Sequence, residues 1–141
     1  MKWKMLLIDD EPSILDSLAE LLSEDDVLVT KAKNGKEGLN LLRSEHFDIV
    51  VSDISMPEMD GVTMYSMARS LGIFVPHIFF SAHVRPEQVQ LLKSQGVVAV
   101  VSKPHVERLS AEVNSVLIKK EFMEGIKETN LLSSELIESL A

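Results

Sequence analysis

The chain has 141 residues and no cysteine, which sets aside disulfides and thiolate metal sites. Its formal charge of −8 argues against direct binding to a nucleic-acid backbone, yet suits a metal cation or a basic partner. Hydrophobic content of 45% fits one domain with a proper core, no apolar run is long enough to span a membrane, and no signal-peptide region follows Lys2, Trp3 and Lys4, so a cytoplasmic protein without membrane insertion is expected.

Apolar blocks alternate with blocks of helical period. Residues 3–8 (WKMLLI) read as a strand. Residues 13–22 place Ile14, Leu15, Leu18, Leu21 and Leu22 on one helical face, with Pro12 suited to the first turn. A strand at 27–32 and a helix at 35–46 follow, then a strand at 47–52 (FDIVVS) rich in β-branched residues. A helix over 62–71 ends at Gly72, a strand covers 76–82, and a helix over 86–95 ends at Gly96. The fifth strand spans 97–102, and a long helical stretch begins at His105. Five strand–helix repeats, with strands that are continuously apolar, imply an α/β fold with a parallel sheet covered on both faces.

In such a sheet, ligands bind beyond the carboxyl ends of the strands. Those ends carry Asp9 and Asp10, Asp53, Ser81, and Lys103 before Pro104. Taken singly, each has an ordinary reading as a helix cap, a loop acid, a turn hydroxyl or a surface lysine. Taken together, three carboxylates in one cleft need a cation, and Mg²⁺ with retained waters suits their hard oxygen donors. Asp53 stands alone at a central strand end, where a carboxylate can act as nucleophile toward a phosphoryl group. Lys103 would pair with one phosphoryl oxygen and Ser81 donate to another. Asp60-Gly61 reads as turn chemistry. The histidines at 46, 77, 83 and 105 lack metal-ligand spacing, and His83 lies near the expected path of an attacking water. The methionines read as core filler.

The strings LLIDDEP, DISMPEMDG (53–61), FFSA (79–82) and VSKP (101–104) together resemble the receiver domain of two-component response regulators, in particular the stand-alone chemotaxis-type receivers. The resemblance covers roughly residues 3–120. It implies a doubly wound, flavodoxin-like, five-stranded sheet of order 2-1-3-4-5. It further implies that Asp53 accepts a phosphoryl group from a sensor histidine kinase or phosphotransfer protein. Mg²⁺ would be held by Asp10, Asp53 and the backbone carbonyl of Ser55, with Asp9 acting through water; Ser81 and Lys103 would be the switch hydroxyl and the phosphate-pairing lysine. Two features depart from the family. Val100 stands where relatives often carry an aromatic ring that turns inward, and Val97, Val98 and Ala99 replace the acids of the charge-paired dimer common in DNA-binding relatives.

The expected protein is a phospho-accepting switch that signals to a downstream protein target, and not an enzyme. The alternatives are a receiver fragment of a longer response regulator, an aspartyl-phosphate phosphatase or phosphotransferase, and an interaction module that has lost phosphorylation. The adjacent DD and the lack of room for a cap oppose the enzyme; the intact acids and lysine oppose the inert module. Residues 1–120 form the receiver and 121–141 a C-terminal helical extension or linker. Val106, Leu109, Val113, Val116 and Leu117 make one apolar stripe, and Ile118, Phe122 and Ile126 a second, roughly a third of a turn away. Gly125 and Asn130 allow a break before Leu132, Leu136 and Leu140. The second stripe then covers itself against a second copy, as a homodimer through this helix, or against folded-back residues 131–140.

Overall fold

Strands that are mostly apolar need cover on both faces, and the fold supplies it. The computed structural model describes residues 3–24 and 26–140, without the side chains of 130–134. The strands are β1 (Trp3–Ile8), β2 (Val27–Ala32), β3 (Ile49–Ser52), β4 (His77–Ser81) and β5 (Ala99–Ser102). Between and after them run the helices α1 (Pro12–Leu22), α2 (Gly35–Ser44), α3 (Gly61–Ser70), α4 (Pro86–Ser94) and α5 (Val106–Leu140). All pairings are parallel and the strand order is β2-β1-β3-β4-β5, the doubly wound, flavodoxin-like order expected.

Side chains alternate across the sheet as the pleat requires. Met5 and Leu7 join Leu15, Leu18, Ile78, Phe80, Leu109 and Val113 under α1 and α5. Leu6 and Ile8 join Leu39, Leu42, Val50 and Met64 under α2 and α3. Tyr65, Phe79, Leu92, Val97 and Val100 fill the space toward α4. Met5 and Met64 serve as core filler, whereas Met67 and Met123 are exposed.

Two strands start two residues later than the sequence pattern suggests. At β3, the backbone N–H of Lys4 donates to the Asp48 carboxylate (2.8 Å) in place of a ladder carbonyl, and Phe47 turns into the core. At β5, Val97 N–H donates to Leu92 O to close the end of α4, where Gly96 takes φ 102° and a side chain would strike the Tyr65 hydroxyl.

The last helix departs furthest from expectation. It runs unbroken through Gly125 and Asn130, so residues 131–140 continue the helix and do not fold back. At 35 residues it is about 52 Å long. Leu109, Val113, Val116 and Leu117 are buried, while Ile118, Phe122 and Ile126 are exposed. At about 100° per residue the centres of the two stripes stand nearer half a turn apart than a third. Leu136 and Leu140 are exposed on the same side; the Leu132 side chain lies outside the described residues. Among the described residues no helix is long and apolar enough to cross a membrane.

His77, an ordinary residue by sequence, is fully buried at the start of β4. Its Nδ1 lies 2.7 Å from Val75 O, Nε2 meets no hydrogen-bond partner among the described residues, and the ring stands edge-on to Tyr65 at 4.8 Å. Burial is the main reason its pKa falls to about 4; the Val75 carbonyl pulls the other way and Arg69 adds to the fall. The neutral ring therefore stabilises the fold fully above the ordinary histidine pKa, and that contribution is lost as pH drops from about 6.5 through about 4. The loss should reach about 3 kcal/mol. Urea unfolding at pH 7 and at pH 4 should show this acid loss shrinking in His77→Asn; equal pH dependence in variant and wild type would contradict it.

Candidate functional site

The carboxyl ends of β1, β3, β4 and β5 meet at one edge, and β1 and β3 flank the switch in strand direction of travel where such sheets open a crevice. The backbone pins the residues just past those ends. Asp9 N–H donates to Ala32 O (3.2 Å), Asp53 N–H to Ile8 O (2.9 Å) and Lys103 N–H to Ser81 O (3.0 Å). Asp60 caps α3 by accepting from Thr63 N–H (2.7 Å), as its turn chemistry suggested. Gly61 follows because its backbone lies against the Asp53 carbonyl, which any Cβ would strike.

The side chains converge. Lys103 Nζ donates to Asp9 Oδ2 (2.9 Å) and to Asp53 Oδ2 (2.8 Å). Asp53 Oδ1 accepts from Ser81 Oγ (2.6 Å) and from Ile54 N–H (2.7 Å). Asp9 Oδ1 accepts from Glu11 N–H (3.0 Å). Asp9, Asp53 and Ser81 are buried; Asp10 is exposed. The sequence-selected Asp9, Asp53, Ser81 and Lys103 are joined by hydrogen bonds, and Asp10 stands beside them as the exposed acid of the group. The lysine, expected only as a partner for a phosphoryl oxygen, is the cation that compensates the buried pair.

Burial opposes the Lys103 charge and is the largest single influence on it. The hydrogen bonds and attraction of Asp53 and Asp9 together outweigh burial and raise its pKa above the ordinary lysine value. The ammonium's contribution to stability is thus intact at pH 7 and is lost only as pH climbs through that raised value.

In front of these groups lies a cleft of about 520 Å³, bordered by Asp10, Asp53, Ser55, Ser81, His83 and Lys103. Glu11, Ile54 and Gln88 also line it; pattern reasoning had no signal for them, because they reach the cleft only through the turn after β1, the turn after β3 and the first turn of α4. Carboxylate oxygens of Asp9, Asp10 and Asp53 lie within 4.8 Å of one another. An all-oxygen donor set of this size, with one acid open to solvent and room for waters, fits a small hard divalent cation. Val100 is buried beside Phe79 and Tyr65 and has no ring to turn.

The comparisons with known proteins agree with this geometry. The family model for the response regulator receiver domain matches residues 5–114. An uncharacterized 14.6 kDa protein of Leptolyngbya boryana is 37% identical over 102 residues, covering 71% of this chain and 78% of that protein. The transcriptional regulatory protein GlrR of Escherichia coli is 34% identical over 100 residues, covering 71% of this chain but 22% of the regulator. The chain thus spans about a fifth of that regulator's length. Among solved structures, the receiver domain of the Francisella response regulator 1452 superposes with a TM-score of 0.79 at 28% identity, covering 84% of this chain and 99% of that one.

Replacing Lys103 with Met keeps the length of the side chain and removes the charge. Two buried carboxylates then face each other, so Lys103→Met should lower the unfolding free energy by about 2 kcal/mol in metal-free buffer at pH 7. Urea unfolding checks this, and an unchanged midpoint would mean that the lysine does not compensate the pair. With the acid cluster, the lysine, the hydroxyl and the sheet order all in place, the chain belongs to the response regulator receiver domain family of two-component signalling.

Proposed function

We propose that the protein is a phospho-accepting switch in which Asp53 takes a phosphoryl group from a sensor histidine kinase or phosphotransfer protein. The observation that carries the reading is the sharing of Asp53 between three donors. Ser81 and the Ile54 N–H occupy Oδ1, and among the described residues Lys103 alone holds Oδ2. Oδ2 is then the oxygen free to form a bond to phosphorus once the lysine is drawn to an incoming phosphoryl oxygen. As that bond forms, the phosphorus–nitrogen bond of the donor breaks and its electron pair returns to the donor imidazole. No oxidant or reductant is needed.

Asp10, Asp53 and the backbone carbonyl of Ser55 would hold Mg²⁺ in the cleft. Asp9 has both oxygens engaged, by Lys103 and by the Glu11 N–H, which supports an indirect role through water. When bound, the ion neutralises charge that gathers on the transferring phosphoryl group. The chain's own groups do the rest. Lys103 exchanges a carboxylate for a phosphoryl oxygen, and Ser81 moves its hydroxyl from Asp53 to another. Because Val100 carries no ring, the change is read out in the loop after β4 and the start of α4, where His83 and Gln88 border the cleft. The output is a change in binding to a downstream protein target, so the protein acts as a cytoplasmic signalling partner and not as an enzyme with its own substrate. Its α5 extension offers a further surface, for a second copy of the chain.

Incubation with Mg²⁺ and a small phosphodonor should place one base-labile phosphoryl group on Asp53, and Asp53→Asn should carry none, since an amide is a far weaker nucleophile. In the same assay Asp10→Ala should weaken Mg²⁺ binding more than Asp9→Ala. Normal labelling of Asp53→Asn would sink the assignment.

A further inference from the structure

The α5 extension ends in a problem that the domain does not solve by itself. Past Leu117 the helix leaves the sheet, yet it carries large apolar groups. Ile118 is 65% exposed, Phe122 66%, Ile126 37%, Leu136 61% and Leu140 79%. At about 100° per residue, these five positions fall within an arc of roughly 80°, with the sequence positions of Thr129 and Ser133 on the same arc between Ile126 and Leu136. They form a single stripe along 23 residues, from 118 to 140. Taken together, they expose roughly 600 Å² per chain, above the level of casual contacts and approaching the ~800 Å² per partner of a stable interface.

The charges beside the stripe select the occupant. Glu121, Glu128 and Glu135 recur every seven residues along one flank. The opposite flank holds Lys119, Met123 and Ile137 and no acid. If two copies ran antiparallel, the glutamate row of one would lie against the glutamate row of the other. If they run parallel, each glutamate row meets the partner's basic and apolar flank instead. Flanking charges of this kind set both partner and direction in paired helices.

We propose that α5 pairs with α5 of a second copy in parallel, through Ile118, Phe122, Ile126, Leu136 and Leu140. The two receiver domains then sit at the same end of the pair, and any segment joined to the helix leaves at the other. The pairing makes no use of Asp53 and so does not rest on phosphoryl acceptance.

The test is sedimentation of the full chain, followed by cross-linking. Wild type and Asp53→Asn should sediment as dimers of the 15.7 kDa chain. Phe122→Glu and Leu136→Glu should each shift them to monomer while the thermal transition of the domain stays unchanged, because both side chains are exposed within one chain. The absence of native cysteine allows direction to be read. Oxidised Leu136→Cys should link to its own copy. A mixture of Phe122→Cys and Leu136→Cys should not link across variants. A wild-type monomer, a dimer that survives both glutamates, or cross-variant links in place of self-links would overturn the proposal; in the first case the stripe belongs to a different protein or to a neighbouring segment.

Discussion

Lys103 Nζ stands between Asp9 Oδ2 and Asp53 Oδ2, at 2.9 and 2.8 Å, and the functional edge of the molecule depends on that position. Two carboxylates buried side by side repel strongly in a medium of low polarity. A covalently attached cation removes the repulsion without needing a ligand, so the edge is stable as it stands. In the proposed function, the same ammonium is also the group that an arriving phosphoryl oxygen would attract. On that proposal one residue serves both the resting state and the switch, and a change of its partner would couple them.

The sheet makes this possible by bringing together residues far apart in the chain. Asp9 and Lys103 are separated by 94 positions and Asp53 and Lys103 by 50, yet the hydrogen bonds that pin their backbones leave little choice of place. Gly61 holds α3 tight against the Asp53 carbonyl. Ser81 completes the arrangement from β4 and fixes the second oxygen of Asp53. The Asp53 carboxylate is thus oriented by three donors, from the end of β4 and the turns after β3 and β5, which is the kind of preorganisation that the proposed phosphoryl transfer would reward.

Much of this was legible in the sequence. Strand-end acids, the hydroxyl and the lysine could be placed on one edge because strand and helix periods alternate clearly. The partner of Lys103 was not legible, since a one-dimensional pattern says that acids and a lysine converge but not which acid points where. The starts of β3 and β5 were misread for a related reason. Asp48 supplies a side-chain acceptor where a ladder carbonyl was expected, and Val97 is spent on closing α4. His77 looked unremarkable because the setting of a single polar ring depends on the packing of Tyr65 and the charge of Arg69, which lie on α3. Gly125 and Asn130 suggested a break, but neighbouring helix-forming residues carry α5 through both.

The domain and its extension divide the work of the chain. Sheet, helices and cleft set the state of Asp53, while α5 extends from the same body with a stripe that the core does not use. The central claim concerns Lys103 and is best read directly. The nitrogen resonance of the Lys103 ammonium and the amide resonance of Ile54 can be followed by NMR during phosphorylation in the presence of Mg²⁺. Both should shift together, in proportion to phosphoryl incorporation, as the lysine trades Asp53 Oδ2 for a phosphoryl oxygen. A Lys103 resonance that stays fixed while phosphate is incorporated would show that the lysine does not change partner, and the account would fail at its centre.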